Sequence, residues 1–174
     1  MEKALDGNFY NPTCGNLSLD GVIDELLNYI KDRPEKRYDI IVGCDSSSSE
    51  EPNFPLAVVV LRAGEGGRFF LKRIFYDNRK FYNWKERIRE ETMLSCQFAV
   101  HLKEIFEKKI SSLNLVEGKD KLNYQLRHIH ADVGENGATR DMIKEVTGLI
   151  RGIGFVPIIK PESFAASSVA DRYS

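Results

Sequence analysis

A chain of 174 residues can bury most of the apolar surface of one core but is too short for two full lobes, so a single domain over residues 1–174 is expected, with 1–37 as an N-terminal helical extension packed on it. Its 42% hydrophobic and 29% charged residues suit a globular protein; no apolar run approaches the ~20 residues of a membrane span, and MEKALDGNFY lacks a secretory apolar region, so a cytoplasmic protein without a membrane partner is expected. The scattered Cys14, Cys44 and Cys96 exclude a disulfide scaffold or zinc ribbon, and the net charge of -1 hides an asymmetry: residues 1–70 hold 7 basic and 12 acidic side chains, whereas 71–174 hold 18 and 14, which directs any anionic partner to the second part.

In chain order, Ser18 caps a helix with the apolar face Val22, Leu26, Leu27 and Ile30, ended by Asp32-Arg33-Pro34. YDIIVGCD, Tyr38 to Asp45, reads as a central strand buried on both faces. PLAVVVLR and RFFLKRIFYD flank Gly64-Glu65-Gly66-Gly67 and form a hairpin. From Trp84 to Ile110 one long helix carries Ile88, Glu91, Ser95, Phe98 and Leu102 along a stripe. YQLRHIHADV is a fourth strand. A helix follows Gly134 and Gly137 with the face Met142, Ile143, Val146, Leu149, Ile150 and Ile153, then GFVPII gives a fifth strand and Pro161 starts a last helix.

Helices inside the later connections require parallel pairing and right-handed crossovers. A mixed five-stranded α/β sheet in the order 3-2-1-4-5, with strand 2 antiparallel and helices on both faces, satisfies these constraints.

Four carboxylates stand at the ends of separate elements. Asp45 ends a buried strand, where an unpaired charge is costly, and Asp132 ends another; the two are neighbours if the first and fourth strands pair. Glu91 lies on the apolar stripe of the long helix, whereas Glu90 reads as a surface charge pointing away. Asp171 lies on the last helix, after Ser167 and Ser168. Acidic groups so distributed are what a divalent-metal site assembled across the domain requires, and oxygen donors suit Mg²⁺. The plainer readings are a turn role for Asp45 with Ser46 and Ser47, and solvent exposure for Asp171.

The segments FYNPT (Phe9 to Thr13), GCDSS (Gly43 to Ser47), GEGG (Gly64 to Gly67), Glu86 with Glu91-Thr92, HADVG (His130 to Gly134) and KPESFAASSVAD (Lys160 to Asp171) carry a resemblance to a bacterial family of ribonuclease H-like proteins along nearly the whole chain. The resemblance implies the ribonuclease H-like fold. In that superfamily, carboxylates on the first strand, the following long helix, the end of the fourth strand and the last helix bind two Mg²⁺ or Mn²⁺ ions. These positions fall on Asp45, Glu91, Asp132 and Asp171, expected both as catalytic groups and as metal ligands. The implied activity is hydrolysis of a phosphodiester in RNA, DNA or a hybrid, with two ions about 4 Å apart serving the attacking and leaving oxygens.

The stretch Lys72 to Arg89 holds 7 basic and 2 acidic residues among Phe75, Tyr76, Phe81, Tyr82 and Trp84. Such a mixture grips phosphates and stacks on bases, so Lys72, Arg73, Arg79 and Lys80 are expected to bind substrate, with Lys160 beside the acidic site. The same pattern also fits a strand core with a wet basic side. Glu86 is a secondary acidic candidate and His130 a candidate proton shuttle. His128, His130 and Asp132 form H-x-H-x-D, but Val133 replaces the next histidine of the corresponding zinc motif and only His101 remains elsewhere. A serine hydrolase is excluded by the lack of G-x-S-x-G. The alternatives to a nuclease are a non-catalytic nucleic-acid or protein binding module and a phosphohydrolase of small molecules.

Overall fold

In the computed structural model, which describes residues 7–115 and 121–170, the apolar run from Tyr38 to Cys44 forms the central strand. In chain order the elements are β1 (Phe9–Asn11), β2 (Gly15–Leu17), α1 (Leu19–Asp32), β3 (Tyr38–Cys44), β4 (Phe54–Arg62), β5 (Gly66–Ile74), α2 (Trp84–Ser112), β6 (Tyr124–His130), a 3₁₀ turn (Ala138–Met142) leading into α3 (Ile143–Gly152), β7 (Val156–Ile158) and a π-helical segment (Ala165–Ala170). One mixed sheet runs β2-β1-β5-β4-β3-β6-β7. β4 is antiparallel to β3 and β5, while β6 is parallel to β3 and β7 to β6. The five strands β5-β4-β3-β6-β7 reproduce the expected 3-2-1-4-5 order.

Among the described residues the sheet has seven strands rather than five. The added pair comes from the FYNPT region, where Asn11 makes the turn: its side-chain oxygen accepts from the backbone N–H groups of Thr13 (2.8 Å) and Cys14 (2.9 Å), while its amide donates to the Phe69 carbonyl (2.8 Å). Three-residue strands are too short to show an alternation in sequence. Nor does Pro161 begin a helix. The chain turns there, with the Glu162 N–H donating to the Ile159 carbonyl, and becomes helical only past Ser163. No helix among the described residues is long and apolar enough to cross a membrane.

Period-two alternation divides the sheet residues between two layers. Tyr38, Ile40, Val42, Leu56, Val58 and Val60 share the main core with Val22, Leu26 and Ile30 of α1 and Phe98, Leu102 and Phe106 of α2. On the opposite face Ile41 and Val59 meet Ala165, and Ala57 and Leu71 meet Ala170, so the C-terminal segment packs on the sheet through its alanines.

The registers align that second face in rows. Tyr10 is opposite Leu71, Leu71 opposite Ala57, Ala57 opposite Gly43, and Gly43 is beside His130, which is beside Ile158. Two residues further toward the carboxyl ends of β5, β3, β6 and β7 stand Arg73, Asp45, Asp132 and Lys160. On the reversed β4 this next row passes through Pro55, which is opposite Arg73 and accepts from the Asp45 N–H at 3.3 Å.

Candidate functional site

The parallel pairing of β3 and β6 brings Asp45 and Asp132 out at the same end of the sheet, and α2, packed beside β3, supplies Glu91. Glu91 is only 7% exposed because it replaces an apolar residue on the buried stripe of α2. Its carboxyl is pushed well above the usual carboxylate range, first by burial, then by the charge of Asp45, with Asp132 adding to the same effect. The Ser46 hydroxyl, 2.5 Å from Glu91 Oε1, opposes the shift. Burial and the charges of Glu91 and Asp45 also push the adjacent Cys44 thiol up. Glu91 and Asp132 line one cavity of about 10 Å³, near the size of a single water, together with Cys44, Ser95, His130 and Val133.

The backbone N–H of Ser46 donates to Asp45 Oδ1 at 2.8 Å, and its hydroxyl reaches Glu91, so one residue links two of the acids. Sequence reasoning gave Ser46 only a turn role; its signal was a hydroxyl immediately after a strand-end aspartate. Asp132 Oδ2 pairs with Lys160 Nζ at 2.8 Å, while Asp132 Oδ1 is buried without a hydrogen-bond partner among the described residues. Gly134 keeps this pair in place, because a Cβ there would lie 2.9 Å from Lys160 Cβ.

His130 is 4% exposed and fastens the C-terminal segment: its Nδ1 accepts from the Ala165 N–H at 3.1 Å, and its ring meets Phe164 edge-on at 4.7 Å. That bond leaves the neutral ring's proton on Nε2. Burial lowers its pKa to about 4, with a further contribution from His128. Glu86 is exposed in the first turn of α2. Asp171, the fourth expected carboxylate, lies outside the described residues.

Several expected surface groups are otherwise engaged. Glu90, read as a surface charge, is half-buried, accepts from the Tyr76 hydroxyl and pairs with Arg79 at 3.0 Å. Lys72 is 5% exposed with its Nζ 5.8 Å from the Phe9 ring, because its strand position faces the core; it is not offered to a substrate from solvent. Arg79 lies 4.4 Å over Phe81, and Lys80 stands near Glu50 and Glu51 (3.7 and 3.6 Å). Arg73 is exposed and makes no ion pair among the described residues.

Among the described residues no group of three or more His, Cys, Asp or Glu side chains is gathered to hold a metal ion as it stands. The donors nevertheless fit a hard divalent cation in kind. They are carboxylate oxygens, their mutual repulsion favours added positive charge, and Asp132 Oδ1 is an orphaned buried acceptor.

A family model described as ribonuclease H-like matches residues 21–174. The chain is also similar to the uncharacterized protein YkuK of Bacillus subtilis (strain 168), with 31% identity over 170 residues that cover 95% of this chain and 96% of that protein. No solved structure gives a significant match.

Proposed function

The chain belongs to the ribonuclease H-like family, and from that premise we propose that it hydrolyses nucleic-acid phosphodiester bonds with Mg²⁺ or Mn²⁺ held by Asp45, Glu91 and Asp132, with Asp171 as a fourth ligand. The observation that carries this reading is Glu91. A carboxylate buried on a helix stripe, within electrostatic reach of Asp45 and Asp132, is costly unless the fold keeps it to attract a cation. The ions supply Lewis-acid stabilisation of charge on the phosphodiester. The chain's own groups prepare for that: Ser46 orients Glu91 through its hydroxyl and Asp45 through its backbone N–H.

A second reading has one specific observation in its favour. Ser46 and Lys160 already satisfy part of the acidic cluster, as a binding module that has no cation to hold would require. Labelled RNA, DNA, hybrid and branched substrates incubated with Mg²⁺ or Mn²⁺ distinguish the two. Cleavage by the wild type that falls by about 10²- to 10³-fold in Asp45→Asn is the expected outcome, the range of catalytic losses seen when one charge-stabilising group is removed. Salt-sensitive binding without cleavage favours the module.

A further inference from the structure

Where β2, β1 and β5 lie side by side at one end of the sheet, the described residues form a groove of about 420 Å³, lined by Asn8, Tyr10, Asn16, Leu71 and Arg73. This volume is in the range of ligand-sized pockets. Tyr10 is 43% exposed although it stands in the row that continues through Leu71, Ala57 and Gly43 to His130. Arg73, two residues beyond Leu71, stands in the next row with Pro55, Asp45 and Asp132. At 4.7–4.9 Å between neighbouring strands, Arg73 lies roughly 10 Å across the sheet from Asp45.

We propose that this groove docks a single-stranded stretch of polynucleotide, with a base stacked on Tyr10 and a phosphate held by Arg73, and leads it across the sheet toward Asp45. The inference rests on the nuclease reading for the destination of the strand but not for the docking itself. Charge and ring chemistry choose the occupant. An exposed tyrosine face in a groove stacks on any unpaired base, whereas a duplex buries its base faces. Arg73 is a cation without an acidic partner among the described residues, and the side-chain amides of Asn8 and Asn16 present donors and acceptors to base edges. Among the described residues that line it Arg73 is the one cation, so the electrostatic part of binding neutralises few phosphates.

The test is fluorescence anisotropy of a labelled oligothymidylate and of the corresponding duplex, followed across salt concentrations, with melting curves to verify folding of each variant. The single strand binds more tightly than the duplex. Tyr10→Ala weakens it by about 5- to 150-fold, the span of stacking on one base, and Tyr10→Phe restores it. Arg73→Gln makes the slope of log affinity against log salt shallower by about 0.7, the share of one phosphate on a single strand. The inference is overturned if wild type binds no single strand, if the duplex binds as well, if both substitutions leave binding unchanged, or if Tyr10→Ala instead dissolves a homodimer in sedimentation. Cleavage activity is read separately. Tyr10-dependent binding without any metal-dependent cleavage overturns the nuclease reading and leaves the groove, whereas cleavage with Tyr10-independent binding does the reverse.

Discussion

Glu91 holds its proton more tightly in the fold than in the unfolded chain, which sets the sign of its effect on stability. The contribution is fully present below the unfolded value of about 4.3 and is lost as pH rises through the raised folded value. Glu91→Gln cannot ionise, so it should be more stable than wild type at neutral and alkaline pH, with the gap closing toward pH ~4. A relief of even about 1 kcal/mol corresponds to roughly 2–4 °C in melting temperature for a chain of this size. Thermal melts of both proteins across pH measure it, and parallel curves would show that neither burial nor the neighbouring carboxylates change the proton affinity of Glu91 on folding. Glu91 was legible in sequence because an acid on an apolar helix stripe breaks the pattern. Ser46 was not, since a hydroxyl after a strand-end aspartate commonly serves a turn, and only the approach of α2 to β3 gives it Glu91 as a second partner.

The C-terminal segment is joined to the sheet by His130, and this contact has the opposite pH response. The folded pKa of about 4 lies below the ordinary value, so the unfolded chain takes up a proton first as pH falls, and stability declines from pH ~6.5 down to about 4. Over that interval the loss attributable to His130 is about 3 kcal/mol. Protonation of Glu91 acts in the reverse direction, so the difference between wild type and His130→Phe is the quantity to read. Denaturant titrations should show the variant losing less stability on acidification, and identical pH slopes would refute the assignment. Among the other elements, α1 was legible from its cap and stripe and α2 from its stripe. Ser18 accepts from the Gly21 N–H at 3.2 Å, as its sequence signal for a helix start requires, and the structure adds a second cap, Asn83, which accepts from the Lys85 N–H at 2.9 Å. The β1–β2 pair was not, because its stability comes from Asn11 and from edge pairing with β5 rather than from its own periodicity.

For the molecule as a whole, a cation held by Asp45, Glu91 and Asp132 would join β3, α2 and β6 and would bind the folded state alone. At a free ion concentration about 100-fold above its dissociation constant, linkage adds about 2.7 kcal/mol, or roughly 5–10 °C. Mg²⁺ or Mn²⁺ should therefore raise the melting temperature of wild type but not that of Asp132→Asn, as measured by scanning calorimetry with and without chelator. An equal shift in both proteins would place the ion elsewhere. The sequence by itself determined the layered α/β class, the order of the five central strands and the candidates Asp45, Glu91 and Asp132, because burial imposes a period and an acid that interrupts it is visible in one dimension. Only the tertiary structure decided that Lys72 turns inward, that Arg79, Lys80 and Lys160 meet acidic partners, and that Tyr10 and Arg73 share a groove on one sheet face. Strand register and partner choice depend on residues tens of positions apart, which no local pattern encodes.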